Sequence, residues 1–438
     1  MMQWFDSMTT WLQGSPHWLA LAIFLVACLE CLAVAGIVIP GTVVLFTLAV
    51  LAGNGALELW QTLLLAYTGG LLGDAISYGL GRRFHQGIRR LPVLRDHPEW
   101  LTGAENYFQR YGVISLLVGR YIGPLRPMLP LVAGMLDMPA VRFALVSLLA
   151  AAGWAVAYML PGWATGAALR LPLPEGFWGA AGIVSAVLAV MLLLIMQASL
   201  RERRWAASLA ALLGAIALAA MLIGFPRLDS LDQGLMTLVQ DERSTAFDPI
   251  AVFITRFGDF HIQFATGVLL VALLFAARRW QAGLFVTGAL LLASTATTVL
   301  KNLLARSRPD VLLQPLESYS LPSGHSSAAF AFFLALGVLA GRGSAARTRL
   351  TWLLVASLPA LTIALSRVYL GVHWPSDIIA GALVAATSCA LSLALIQRAA
   401  PMQPLPAKVW WLVIPACAAL FCAMVTWELS ATQLRYSY

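Results

Sequence analysis

Apolar residues run along this chain in long unbroken stretches, without the strict alternation of a half-buried strand. In the first part they fall near 18–38, 42–53, 59–80, 112–136 and 140–168. The turn-rich Leu171-Pro172-Leu173-Pro174-Glu175-Gly176 follows and reads as a domain boundary. Eight more runs come after it, near 178–200, 206–225, 262–277, 281–300, 325–341, 350–365, 377–396 and 409–428. Most reach the about 17–25 residues that a spanning helix needs. The run near 262 is short and is expected to begin earlier, around Asp248. The pattern predicts an all-α polytopic membrane protein. Its expected parts are a membrane unit at 1–170, a connecting helix at 171–205, a second unit at 206–400 and an extra C-terminal helix at 401–438.

Two early runs are interrupted. Pro40-Gly41 breaks the first pair, and Pro124, Pro127 and Pro130 with Gly119, Gly123 and Gly134 break the fourth. Proline removes a donor and clashes with the preceding turn. Broken backbone at membrane depth survives only where protein or a wet cavity covers it, and paired broken segments point to a transport site. Ionisable residues sit at these breaks: Glu30 before Pro40-Gly41, and Arg120 and Arg126 around Gly123-Pro124. Glu30 is expected to face Arg120 or Arg126, since a charge inside a membrane segment is costly unless paired.

Charge between the later runs alternates. Arg201, Arg203 and Arg204 follow the first, Arg278 and Arg279 the third, Arg342, Arg347 and Arg349 the fifth, Arg398 and Lys408 the seventh. Every second loop is basic, which places those loops in the cytoplasm. The alternate loops hold Asp229, Asp232, Asp241 and Glu242, and then three polar blocks, all on the opposite face. In a bacterial inner membrane that face is periplasmic.

Composition agrees: 60% of residues are hydrophobic and 11% charged, against about 25% charged in soluble domains. The formal charge of +8 is explained by arginines at the ends of apolar runs, so no nucleic-acid partner is expected. Arg82, Arg83, Arg89, Arg90 and Arg95 read as a surface segment on anionic lipid. Cys28-Leu29-Glu30-Cys31 spells CxxC but lies in an apolar run, as do Cys389, Cys417 and Cys422, so the cysteines read as packing. The amphipathic leader Met1 to His17 carries no convincing cleavage site.

The chemistry concentrates in the three blocks: Lys301 to Arg308-Pro309, Pro322-Ser323-Gly324-His325, and Ser366-Arg367 with His373 and Asp377. Lys301 is one of only two lysines. Cations that hold an anion, an imidazole that attacks phosphorus, a second that protonates a leaving group and a carboxylate that orients the attacker make a phosphate-ester site. Asp377 lies four residues after His373, so the two can share one face across a turn. Arg306 is left open between binding phosphate and reaching for headgroups, and Asp259 and His261 are minor candidates. No cluster with metal-ligand spacing occurs, so neither metal nor cofactor is expected.

The blocks read Lys-x6-Arg-Pro, Pro-Ser-Gly-His and Ser-Arg-x5-His-x3-Asp, a pattern that resembles the lipid phosphate phosphatase superfamily, the type-2 phosphatidic acid phosphatases. The resemblance implies His373 as nucleophile through a phosphohistidine, with Asp377 orienting it. It implies His325 as acid and then base, and Lys301, Arg308, Ser323, Gly324 and Arg367 as phosphate ligands. Residues 18–168 resemble the DedA (VTT, SNARE-associated) family through Glu30, Pro40-Gly41, Gly73-Asp74, Tyr78, Gly81-Arg82, Gly119-Arg120, Arg126, Pro130 and Ala133-Gly134. This second resemblance implies two re-entrant hairpins and carriage of polyprenyl phosphate or phospholipid, with Glu30, Asp74, Arg120 and Arg126 as transport residues. Thr42 stands where many members carry an acid, which puts proton coupling in doubt. The expected whole is a DedA-like unit fused to a six-helix phosphatase core with flanking helices. The expected substrate is a lipid phosphate or pyrophosphate, undecaprenyl pyrophosphate first. The rivals are a lipid phosphotransferase with lipid A as acceptor, a transporter or scramblase with an inactive phosphatase unit, and a vanadate haloperoxidase. A homo-oligomer is left open.

Overall fold

The computed structural model describes residues 11, 14–33, 35–38, 41–90, 95–121, 126–171, 173–200, 204–312, 318–399 and 401–426. Pro40, Gly123, Pro124, Pro172, Arg201, Arg203, residues 427–438 and most of the leader lie outside them. The chain is a multi-pass membrane protein: among the described residues nine helices are long and apolar enough to cross a bilayer. It divides into two compact units, Met1–Pro172 and Leu173–Tyr438.

The first unit contains α1 (Pro16–Cys31), α2 (Ala35–Val38), α3 (Gly41–Leu51), α4 (Leu59–Phe84), α5 (Pro98–Tyr111), α6 (Val113–Gly119), α7 (Met128–Met135) and α8 (Ala140–Arg170). Among its described residues α4 and α8 are the helices long and apolar enough to span a bilayer; the interrupted runs give shorter helices. Helix α4 packs against α1, α7 and α8, and α3 packs against α8. Of the basic stretch that ends α4 and follows it, Arg89 pairs with Glu105 at 2.6 Å, and Arg82 donates to the Tyr78 hydroxyl at 3.1 Å.

The second unit contains α9 (Phe177–Ser199), α10 (Arg204–Gly224), α11 (Asp229–Asp241), α12 (Asp248–Arg256), α13 (Phe260–Ala276), α14 (Trp280–Leu304), α15 (Gly324–Gly341), α16 (Ala346–Tyr369), α17 (Pro375–Ala399) and α18 (Ala407–Thr426). Helices α12 and α13 are bent by 41° at their break and together are long and apolar enough for one broken span beginning at Asp248. Helix α9, expected as a connector, packs against α10 and α11 in this unit.

Helices in lipid associate by close packing and polar contacts, with little hydrophobic drive. Ala293, Ala331, Val384 and Ala385 bring α14, α15 and α17 together. Thr297 donates to Ser327 across α14 and α15 at 2.7 Å, and Ser392 donates to the Phe285 carbonyl across α17 and α14 at 2.8 Å. Each such bond is worth about 0.6 kcal/mol in a bilayer. Phe332, Phe333 and Phe421 join α18 to α15 through edge-on and stacked rings. Because the helices alternate in direction, the C-termini of α14 and α16 and the N-termini of α13, α15 and α17 share one end. The arginine-rich connections fall at the other.

Candidate active site

The three blocks meet at that shared end. Lys301 closes the last turn of α14, and the chain leaves it through Ala305, whose φ of +45° is left-handed and ends the helix. Ser320 ties the loop shut, donating to the carbonyls of Arg306 and Ser307 at 2.9 and 3.0 Å. Ser323 caps α15, its Oγ accepting from the Ser326 N–H, and its own N–H donates to the Asp377 carbonyl at 3.0 Å. The second and third blocks are thus joined backbone to backbone. A Cβ at Gly381 would lie 2.8 Å from the Ser323 carbonyl, so this approach of α15 and α17 requires glycine.

His373 is 1% exposed. Its Nε2 lies 3.1 Å from Arg308 Nη1, and its Nδ1 lies 3.3 Å from Asp377 Oδ2. A guanidinium can only donate, so Nε2 is the acceptor and the ring proton sits on Nδ1, facing the carboxylate. The Trp374 N–H also donates to Asp377 Oδ2, at 2.9 Å. Burial pushes the His373 imidazole well below its ordinary value, and Arg308, Arg367, Lys301 and His325 push the same way. The result is a neutral imidazole with its Nε2 lone pair aimed at a cluster of cations.

Arg308 also donates to the carbonyls of Val372 and Ser318, at 2.6 and 2.7 Å. Lys301 Nζ donates to the Tyr319 carbonyl. The Lys301 Cε lies 3.9 Å from where a Gly324 side chain would begin, so the lysine reaches the N-terminus of α15, where unpaired N–H groups favour an anion. Arg367, 2% exposed, is braced by Thr255 Oγ1 at 2.8 Å.

His325 Nε2 lies 2.9 Å from Asp259 Oδ1. Gly258 makes this possible: a Cβ there would lie 2.9 Å from His325 Cδ2. Asp259 was only a minor candidate in the sequence because its partner lies 66 residues away; its place just before α13 was the one available signal. His261 instead sits edge-on to Phe260 and is exposed.

Arg306 is taken up by two carboxylates and does not reach outward. It donates to Asp377 Oδ1 at 2.9 Å, Asp232 Oδ2 at 2.7 Å and Ser376 Oγ at 2.7 Å, and lies over the Phe225 and Trp374 rings. Asp232, fully buried, also accepts from the Ser376 N–H at 2.9 Å, capping α17. Sequence reasoning missed Asp232, which looked like one of several loop acids.

In the first unit Glu30 takes Arg126 as partner, and Arg120 takes Asp74. Thr42 Oγ1 donates to Glu30 Oε1 at 2.7 Å, and Arg126 Nε donates to the Arg120 carbonyl at 2.9 Å. Both arginines lie over Trp154, and Arg126 also lies over Tyr158. All four ionisable side chains are buried, yet among the described residues Glu30 Oε2 and Asp74 Oδ1 have no hydrogen-bond partner.

The fold and its two polar centres define a multi-pass membrane protein with a cluster of cations, two histidines and carboxylates in one unit and a buried ionic network in the other. The family models place it more closely: residues 39–164 match the VTT domain, and residues 281–401 match the PAP2 superfamily. The chain belongs to the VTT (DedA) proteins and carries a PAP2 domain fused behind that unit. It is 40% identical over 152 residues to "Inner membrane protein YabI" of Escherichia coli (strain K12), covering 35% of this chain and 60% of that protein. It is 29% identical over 177 residues to an "Undecaprenyl-diphosphatase" of Sulfolobus acidocaldarius, covering 39% of this chain and 80% of that one. Among solved structures, a PAP2-type phosphatidylglycerolphosphate phosphatase from Bacillus subtilis aligns with a TM-score of 0.39 and 21% identity, over 43% of this chain and 96% of that one.

Proposed function

We propose that the second unit is a metal-independent lipid phosphate or pyrophosphate phosphatase that works through a phosphohistidine. The reading is carried by one observation: His373 turns Nδ1–H to Asp377 and Nε2 to Arg308. A nucleophile held in one tautomer by a carboxylate, with its lone pair among cations, is built for attack on phosphorus.

His373 Nε2 attacks, the N–P bond forms, and the P–O bond to the leaving group breaks. His325, oriented by Asp259, gives its proton to the departing oxygen. It then takes a proton from water, whose oxygen displaces Nε2 and frees inorganic phosphate. Lys301, Arg308, Arg367, the Ser323 hydroxyl and the Gly324 N–H hold the equatorial oxygens. Arg306 and Asp232 hold Asp377 in place.

The substrate proposed is undecaprenyl pyrophosphate, supported by the site's place at a membrane face and by the similarity to a protein of that activity. The arginine-rich connections support a bacterial inner membrane with the site facing the periplasm. The proposed parts are the DedA-like unit at 1–170, a connecting helix at 171–205, the phosphatase at 206–400 and a last helix at 401–438. The DedA-like unit is proposed to return the released undecaprenyl phosphate, or a phospholipid, across the bilayer. Its buried Glu30, Asp74, Arg120 and Arg126 support this part, because ionised groups at membrane depth are kept for a task.

The test is phosphate release from undecaprenyl pyrophosphate in EDTA by purified protein. Wild type should release phosphate and His373→Ala should not. No release by either, with the protein folded, removes the enzyme reading.

A further inference from the structure

A second feature of the phosphatase unit is unused by this chemistry. Helices α9, α10, α15, α16 and α17 line a partly open cavity of about 590 Å³. Its wall is almost wholly apolar: Leu192 and Met196 on α9, Leu334 on α15, Leu353 on α16, and Ala386 and Leu393 on α17 are typical. Ile378 lines one end and Gln397 the other, and both lie on α17. At about 1.5 Å per residue the cavity is therefore roughly 28 Å long, close to the hydrocarbon thickness of a bilayer.

The two ends differ. The end below the catalytic groups is closed by apolar side chains, with Ala364 and Ile378 packed into a cluster with Met236 and Val368. The far end is lined by Arg342, Arg349 and Gln397. Arg349 is fixed there by donating to the Ser344 carbonyl at 2.8 Å and to the Leu200 carbonyl. This end belongs to the arginine-rich side of the unit, away from His373.

We propose that this cavity binds a membrane lipid with an anionic phosphate headgroup, the headgroup on Arg342 and Arg349 and one hydrocarbon chain along the apolar wall. Planar guanidiniums suit phosphate oxygens, and hydrocarbon suits the wall. The tail of a substrate held at the catalytic end fits poorly, because its tip would finish against two guanidiniums. Movement of a phosphate along the cavity fits no better, since the wall between the ends offers it no cation. The site is thus a second lipid site, on the opposite face from the catalytic one, and it does not depend on the phosphatase reading.

Native mass spectrometry of the delipidated full chain in detergent tests this. The probes are palmitoyl-oleoyl phosphatidylglycerol and phosphatidylcholine with the same chains. Wild type should retain one phosphatidylglycerol in preference to phosphatidylcholine by about tenfold, the worth of one or two charge-assisted contacts. Arg342→Gln with Arg349→Gln should abolish the preference. Ala386→Trp, which fills the middle of the cavity, should remove the bound lipid while leaving both arginines. Arg308→Gln at the catalytic end should change neither, and inorganic phosphate should not displace the lipid. Elution profile and thermal midpoint report folding of each variant. The proposal is overturned if the arginine pair leaves the preference intact, if Ala386→Trp retains the lipid, or if Arg308→Gln removes it.

Discussion

Replacing Asp259 by asparagine keeps the shape of the site and removes the charge that faces His325 at 2.9 Å. A hydrogen bond to a charged group is worth about 1.5–3 kcal/mol net. The Asp259 carboxylate is 31% exposed, so the low end applies after solvent screening. One decade in rate is about 1.36 kcal/mol, which gives a loss of roughly tenfold in the steps where His325 handles a proton. Those steps depend on the leaving group. An alkyl phosphate expels an alkoxide and needs the acid, whereas a lipid pyrophosphate expels a phosphate that needs it little. Rapid-quench measurement of phosphoenzyme formation separates the two substrates. Asp259→Asn should slow the monoester about tenfold and the pyrophosphate by less than about twofold. Hydrolysis of the phosphoenzyme should slow equally for both, since both give the same intermediate. An equal loss for both substrates in the first step, or no loss for either, would show that Asp259 does not serve His325 as acid.

Three further outcomes follow from the geometry. Arg306→Gln leaves Asp232 and Asp377, both fully buried, without their shared cation; breaking a buried pair costs about 3–5 kcal/mol. A large drop in thermal midpoint in detergent is expected, and an unchanged midpoint would dismiss the pairing. His373 is held neutral well below 6.5 in the folded protein, while the unfolded chain takes up a proton near that value. Stability should therefore be full above pH 6.5 and fall as the pH drops below it, with a shallower fall in His373→Asn; identical slopes would contradict a depressed imidazole. In vesicles, Glu30→Gln removes the charge opposite Arg126, and transbilayer movement of labelled polyprenyl phosphate should slow; wild-type speed would detach this pair from transport.

Much of the architecture was legible because a bilayer demands long apolar runs, and the runs are where the helices are. The helix ends and loop that carry Lys301, His325 and His373 were legible as one face because arginines mark the other. Local spacing gave the His373–Asp377 pair, in which His373 lies just before α17 and Asp377 in its first turn. Contacts set by tertiary packing were not legible. Arg306 could not be told from Arg308 by type or position, yet an ion pair joins it to Asp232 on α11, 74 residues away. Asp259 needs Gly258 and the bend at α13 to reach His325. In the first unit the sequence offered Glu30 two arginines, and only the fold assigns Arg126 to it and Arg120 to Asp74.

The most direct measurement is chemical trapping. Wild-type protein mixed with terminally ³²P-labelled undecaprenyl pyrophosphate and quenched in alkali should carry label on His373, stable to base and lost in acid, and His373→Ala should carry none. Label on another residue, or turnover by wild type with no labelled protein at any time, would contradict attack by this imidazole.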